Sequence, residues 1–419
     1  MSQRRAIPYF CLLALLAACT NEQRSDVGTG GGTGAAEGTG STSTATGTSA
    51  GTGGSDASGG SDASGGSDAS GGGGDVPPRD PEELPVLENI VFYDGYAATV
   101  DEPIPDGVIR HDNSLVATRL TDEQLAKVQT TLKVRVVVGA RCDNYDRLGS
   151  VNLALVPKGV QTYVPAEVDR IEVARFVTPF MDMNKQPTTV PYEWEASNLV
   201  PILKDPDLLA AHDFWFELSI FGVPYAANDE VAGCAGRNDT QLGSLLLYTD
   251  STQEAQDFSV LLPLAIGEEF NNYAMGASDK VGTTRKTVRF ELPAATQNAQ
   301  LVLITSNHGA NQGGEEYIRR EHHVYIDGKL ALQYRPGRTS CEPFRKYNTQ
   351  SNGIYGRSPR SDEEWQSFSN WCPGDAIDTR IVPWGAASAG MHEFVIDVPD
   401  ATFVDGQGNF PFSLYVQAQ

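Results

Sequence analysis

From residue 130 to the end, the chain is a succession of short apolar runs broken at close intervals by Gly, Pro, Asn and Asp, and it almost never keeps a helical period. Such runs occupy residues 132–138, 151–156, 171–177, 214–221, 244–248, 258–264, 287–292, 301–305, 323–326, 393–398 and 412–416, after an opening strand-like segment at 89–100. Runs of this length bounded by turn residues suit half-buried strands, so the pattern predicts an all-β chain of antiparallel sandwiches. Thr121 followed by Asp122, Glu123 and Gln124 predicts one short capped helix.

The first 80 residues cannot contribute a core. Arg4 and Arg5 precede an apolar stretch, residues 9–18, that is too short to span a bilayer, and Leu16-Ala17-Ala18-Cys19 has the form of a bacterial lipobox. A signal peptide over 1–18, lipidation of Cys19 and a lipid anchor in a membrane are expected. Thr20 rather than Asp after that Cys points to the outer membrane or cell surface. Residues 19–80 are mostly Gly, Ser, Thr, Ala and Asp, with Ser-Asp-Ala-Ser-Gly-Gly recurring from Ser55, Ser61 and Ser67, and are expected to form a disordered tether.

What remains is long enough for two medium domains, expected at 81–252 and 253–419 with the polar segment 248–257 as the junction. A net charge of −23 and the lack of a basic cluster exclude nucleic acid as the main partner. Of six cysteines, Cys11 leaves with the signal and Cys19 is lipidated, leaving Cys142, Cys234, Cys341 and Cys372 in an exported, disulfide-permissive setting. Spacing allows three pairings. One bridge within each domain, Cys142 with Cys234 and Cys341 with Cys372, is the favoured pair. No CxxC or His cluster suggests a metal, and a monomer is expected.

The chemistry-bearing residues fall in four places. Arg141-Cys142-Asp143-Asn144-Tyr145-Asp146-Arg147 sets two acids and two arginines between two strands, where a carboxylate could act as a base or could merely close an ion-paired turn. Glu217 lies in an otherwise apolar strand on the face of Trp215, Ser219 and Phe221, a costly place for an acid unless it is hydrogen-bonded or lines a cleft. A Gly- and amide-rich loop at 306–314, containing Asn307 and His308, leads to Glu315 and Glu316. His322 and His323 point to opposite faces of a strand and cannot share a site. Residues 335–384 hold Cys341, Trp365, Trp371, Cys372 and Trp384 among amides and arginines, which suits either a carbohydrate site or tryptophans packed on a disulfide.

Together these segments resemble the peptide-N-glycosidase F family of exported amidases. Cys142-Asp143-Asn144-Tyr145-Asp146-Arg147 is similar to that family's Cys-Asp-Glu-Trp-Asp-Arg, and residues 174–180, Ala-Arg-Phe-Val-Thr-Pro-Phe, to its Gly-Arg-Phe-Ile-Thr-Pro-Tyr. Asn370-Trp371-Cys372-Pro373-Gly374 is similar to its Gly-Trp-Cys-Pro-Gly. The resemblance implies two jelly-roll sandwiches side by side with the site in the groove between them and no cofactor. It implies hydrolysis of the GlcNAc–asparagine linkage of N-glycoproteins or N-glycopeptides. Asp146, Glu316 and Glu217 fall on its cleft acids, with Arg147, Asn307, His308 and Trp371 as substrate-binding candidates.

The chain departs from that pattern in specific places. Gly314 and Ile318 stand where the family has a cysteine pair, Asn307 or a neighbour and Ser219 where it has cleft aromatics, and Phe368 where it has an arginine. The alternative readings are a non-catalytic glycan-binding surface lipoprotein and, on the same architecture, a copper monooxygenase, for which His-x-His and Met ligand patterns are missing.

Overall fold

The computed structural model describes residues 80–269, 283–309, 314–350, 354–403 and 408–419, all within one compact unit that begins at Gly74. The expected signal peptide, Cys19, almost all of the tether and the middle of the 306–314 loop lie outside the described residues.

Nine strands build the first half: β1 (Glu82–Tyr93), β2 (Val108–Asp112), β3 (Leu115–Arg119), β4 (Lys133–Ala140), β5 (Leu148–Pro157), β6 (Asp169–Val177), β7 (Thr189–Glu195), β8 (His212–Ile220) and β9 (Asp239–Thr249). Nine follow: β10 (Val260–Glu269), β11 (Arg285–Leu292), β12 (Thr296–Thr305), β13 (His322–Ile326), β14 (Lys329–Tyr334), β15 (Ala376–Ile377), β16 (Thr379–Ala387), β17 (Gly390–Asp397) and β18 (Pro411–Ala418). The sheets run β1-β9-β4-β7 and β15-β6-β5-β8-β3-β2 in the first sandwich, and β10-β18-β12-β16 and β11-β17-β13-β14 in the second.

Each sandwich has its own core. Val134, Val136 and Leu245 from one sheet meet Val151, Leu153 and Phe216 from the other in the first, and Leu301, Leu303, Phe394 and Phe412 are buried together in the second. The outer face of β5 is also covered, because Ala154 and Val156 pack under Tyr163 and Trp215. That double burial is why residues 153–156 read as continuously apolar rather than alternating. The two-residue strand β15 adds to the edge of the first sandwich, pairing Ala376 with Phe176 and Ile377 with Arg175, and so stitches the two halves of the chain.

Both expected disulfides are present, Cys142–Cys234 and Cys341–Cys372, each with Cα atoms 5.4 Å apart. The expected helix forms over Asp122–Lys127 with a full capping box between Thr121 and Gln124. The opening strand begins earlier than expected and ends at Tyr93, after which the chain turns through Asp94, whose carboxylate accepts from the Tyr96 N–H. Five strands of three residues or more were not legible as such: β2, β3, β7, β14 and β16. β7 and β16 carry Pro191 and Pro383, and each is the last strand of its sheet, where the missing N–H costs no ladder bond on the outer side.

Candidate active site

The turn before β5 owes its shape to Asp143. This buried carboxylate accepts from Arg147 (Nε 2.7 Å, Nη2 3.3 Å), from the Val223 N–H (2.7 Å) and from the Tyr145 N–H (3.1 Å). Cys142 is bridged to Cys234, Asn144 donates to Glu230 at 2.7 Å, and Arg141 pairs with Asp239 at 3.8 Å. The peptide of Arg147 is held on both sides by Thr178: its N–H donates to the Thr178 hydroxyl and its carbonyl accepts the Thr178 N–H, each at 2.7 Å. Asp146 therefore stands in a rigid frame, and of the two acids in the turn it is the one left for chemistry.

Its environment makes it a poor acid. Burial and the negative charge of Glu316 push the Asp146 carboxyl up to about 7, against the opposing pull of Arg147. Glu316 is pushed up as well, chiefly by burial, although the Gly309 N–H (3.4 Å) and the Tyr317 hydroxyl bond to its carboxylate and act the other way. Asp146 comes from the first sandwich and Glu316 from a turn, 314–318, in the second. The fold brings them close enough for like charges to interact.

Adjacent Glu315 has a different role. It is wholly buried, forks onto Arg320 (2.9 Å twice) and accepts from the Thr402 and Phe403 N–H groups. The turn's own carbonyls are clamped by Asn370, whose Nδ2 donates to the carbonyls of Glu315 (2.6 Å) and Glu316 (2.8 Å). Trp371 is 5% exposed and donates to the Asn307 carbonyl at 2.9 Å, and the Gly374 N–H donates to Val177. The Asn370–Gly374 segment is thus a brace that holds the Glu316 turn against the strand end at Val177. Trp371, expected as a substrate contact, lies inside that brace, and Trp365 is buried against the Cys341–Cys372 bridge.

Between the two sandwiches runs a cleft of about 800 Å³. Leu148, Ser150, Asn152 and Ser219 line it from the first sandwich, and Gly267, His308 and Pro411 from the second. His308 accepts or donates through Nε2 to the Ser306 hydroxyl (2.9 Å), which also receives Arg175 Nη1 (2.9 Å). Arg175 can only donate and takes one of the two lone pairs of the Ser306 oxygen, which leaves that hydroxyl able to donate to His308 Nε2 or to accept from it. Burial and the Arg175 charge lower the His308 pKa to about 3, which keeps the ring neutral. Asn307 is buried, and its Oδ1 faces His322 Nε2 at 3.3 Å.

Glu217 lies further along this face. It is fully buried and accepts from Tyr163 (2.8 Å), Asn152 Nδ2 (3.0 Å) and Arg170 Nε (3.0 Å). Its charge acts on His111 and Tyr163. The bonds that satisfy it answer the cost expected of an acid on an aromatic face. Sequence reasoning missed Tyr163, Arg170 and Asn152, because nothing local marks a residue whose partner is tens of positions away, and it quoted Asn370 within a motif without giving it a role. Among the described residues no three His, Cys, Asp or Glu side chains converge as a metal-ligand set.

The model for the N-terminal domain of peptide-N-glycosidase F matches residues 83–235, and that for its C-terminal domain matches residues 277–417. The chain belongs to the peptide-N-glycosidase F family. Its fold is shared with a solved structure of PNGF-II (21% identity, TM-score 0.58, 81% of this chain and 66% of that one). It is shared as well with PNGase F, a glycosylasparaginase from Flavobacterium meningosepticum (15% identity, TM-score 0.50, 81% of this chain and 96% of that one). The chain thus spans just under two thirds of the PNGF-II structure. No curated protein sequence matches it.

Within the family pattern the departures have structural consequences here. Phe368, at the position of the family's arginine, stacks on Tyr317 (centroids 5.4 Å), and the Arg360 guanidinium lies 3.9 Å from its ring centroid. Gly314 and Ile318 close their turn through the Ile318 N–H to Gly314 carbonyl bond (3.2 Å) in place of a cysteine bridge.

Proposed function

We propose that the protein is an exported amidase that hydrolyses the bond between an asparagine side chain and the first GlcNAc of an N-glycan, leaving aspartate and a glycosylamine. The observation that carries this reading is the pair Asp146 and Glu316: two carboxyls from separate sandwiches, both with raised proton affinity, at the positions where family resemblance expects reacting acids, with Leu148, two residues from Asp146, and His308, next to the Gly309 that bonds Glu316, lining the interdomain cleft.

Two carboxyls that repel each other's charge hold one proton between them near neutral pH, and the pair titrates as a unit. In the proposed reaction Asp146 acts in its ionised form, which is populated as pH rises through about 7, and removes a proton from a water that attacks the amide carbonyl. The departing glycosyl nitrogen receives the proton that Asp146 took from the water, and Glu316 orients that nitrogen. Tyr317, bonded to Glu316 and stacked on Phe368, fixes the orientation of Glu316. His308, kept neutral and bordering the cleft, offers a bound sugar a polar ring rather than a charge. Arg147, committed to Asp143, acts on Asp146 as a nearby positive charge.

Export as a lipoprotein through Cys19, with the folded part tethered to an outer membrane or cell surface, belongs to the same proposal. The lipobox supports it, and the two disulfides fit an oxidising compartment. Hydrolysis of a defined N-glycopeptide in oxygen-18 water tests the chemistry. Label in the new aspartate marks attack at the amide carbonyl; an unchanged asparagine with label in the sugar would mean glycosidic cleavage and overturn the amidase reading.

A further inference from the structure

Strand register sets a strip of polar groups along the first sandwich's side of the cleft. Ser150 of β5 lies opposite Ser219 of β8, and Asn152 lies opposite Glu217. Three of these four, Ser150, Asn152 and Ser219, line the cleft, while Glu217 is buried behind them. From Leu148 to Asn152 is four strand steps, about 13 Å, so Asn152 lies beyond the reach of a single sugar ring held beside Asp146.

The orientation of the Asn152 amide follows from its neighbour. Glu217 is ion-paired with Arg170 and also receives the Tyr163 hydroxyl, so it is ionised and can only accept. The Asn152 atom facing it at 3.0 Å must be the Nδ2 donor. That leaves Oδ1 as an acceptor, buried and without a hydrogen-bond partner among the described residues, in a side chain that is 4% exposed and borders the cleft. A buried acceptor left unpaired is costly, and one that borders a cleft is placed to be satisfied by a ligand. At the Leu148 end of the same cleft, where the Phe221 N–H donates to the Leu148 carbonyl, Tyr96, 73% exposed, meets Phe221 edge-on with ring centroids 5.2 Å apart, a face suited to the C–H side of a sugar.

We infer that Asn152, oriented by Glu217, is the hydrogen-bond acceptor for a hydroxyl or acetamido N–H of a glycan lying along the cleft, at least one ring away from the bond that is cut. The inference rests on the cleft being a glycan site and deepens that reading. It makes Glu217 a positioning residue, with its lone pairs committed to Arg170, Tyr163 and Asn152 and its effect transmitted through the amide. The ligand class it specifies is an oligosaccharide long enough to pass Ser150 and reach Asn152.

The test measures binding by calorimetry to the full chain, with a free high-mannose N-glycan and with N,N′-diacetylchitobiose as probes. The wild type is expected to bind the longer glycan more tightly. Asn152→Leu should weaken that binding about tenfold and leave the disaccharide within twofold. Ser150→Leu, on a half-buried floor position of the cleft, should do the same and serves if Asn152→Leu misfolds by thermal melt. In glycopeptide turnover Asn152→Leu should raise KM with kcat within twofold. Equal effects on both sugars, no effect on either, or a wild type that binds no oligosaccharide would overturn the inference. Length-dependent binding that needs Asn152, in a protein that converts no glycopeptide, would uphold the inference while removing the amidase reading.

Discussion

Arg147 forks onto Asp143, with Nε 2.7 Å from Oδ2 and Nη2 3.3 Å from Oδ1, while its immediate neighbour Asp146 carries a pKa raised to about 7. One guanidinium therefore separates the two acids of the turn into a structural one and a reactive one. Asp143→Asn should cost about 2–3 kcal/mol, the worth of charged hydrogen bonds to a buried carboxylate. It also removes a negative charge from the surroundings of Asp146 and frees the Arg147 charge to act on it, so the acid limb of the pH–rate profile should move down. Chemical denaturation and kcat/KM against pH check the two halves.

Asp146 also predicts how stability depends on pH. An unfolded aspartate releases its proton near pH 4, whereas the folded protein keeps this one to about pH 7. Across that window the folded state binds more protons, so this residue's contribution is fully present below pH 4 and is lost as pH rises through 7, a change on the order of 2–4 kcal/mol. Asp146→Asn should melt like the wild type near pH 4 and higher than the wild type at pH 8. Parallel melting curves at both pH values would contradict the assigned burial.

Glu315 and Glu316 are neighbours whose replacement should give opposite phenotypes. Glu315→Gln unpairs the buried Arg320 and weakens the hold on Phe403, whose backbone sits at φ +46°, so a loss of about 3–5 kcal/mol in stability is expected. Glu316→Gln should leave the melting temperature near the wild-type value and lower kcat by at least a hundredfold. Melting curves beside single-turnover rates distinguish the two.

Arg175 and Glu172 form a buried pair that touches both sandwiches. Arg175 donates to Glu172 (2.7 Å twice), to the Pro411 carbonyl (2.8 Å) and to Ser306. Removing one partner leaves the other charge buried, so Arg175→Met should cost about 3–5 kcal/mol. It also removes a positive charge that lowers the His308 pKa, so the ring's titration followed by nitrogen-15 spectra should move up in the variant. A midpoint unchanged from the wild type would contradict the assigned influence of Arg175.

The sandwich class, both disulfides and the capped helix were legible because each rests on a local pattern: alternation with turn punctuation, few cysteines in an exported setting, and a Thr with Gln three residues later. The edge strands β7 and β16 were not, since Pro191 and Pro383 disqualify a run until its place at the rim of a sheet is known. At the site, the local pattern set two acids in the 141–147 turn and two at 315–316 without dividing them, and only the family resemblance chose Asp146 and Glu316. The physical reason for a division lies in Val223 and Thr402, whose N–H groups reach Asp143 and Glu315 from far along the chain, and in Arg320, which forks onto Glu315. Trp371 and Trp365 were readable either as sugar-stacking surfaces or as disulfide packing, and burial decides for packing.

The most direct test of the central claim is mass spectrometry of a defined N-glycopeptide incubated with the full chain and with its Asp146→Asn variant, the variant first shown to be folded. The account predicts release of the glycan with asparagine converted to aspartate by the wild type, and no conversion by the variant. Conversion by Asp146→Asn at the wild-type rate would remove Asp146 from the chemistry, and no conversion by the wild type over several glycan cores would contradict the amidase assignment.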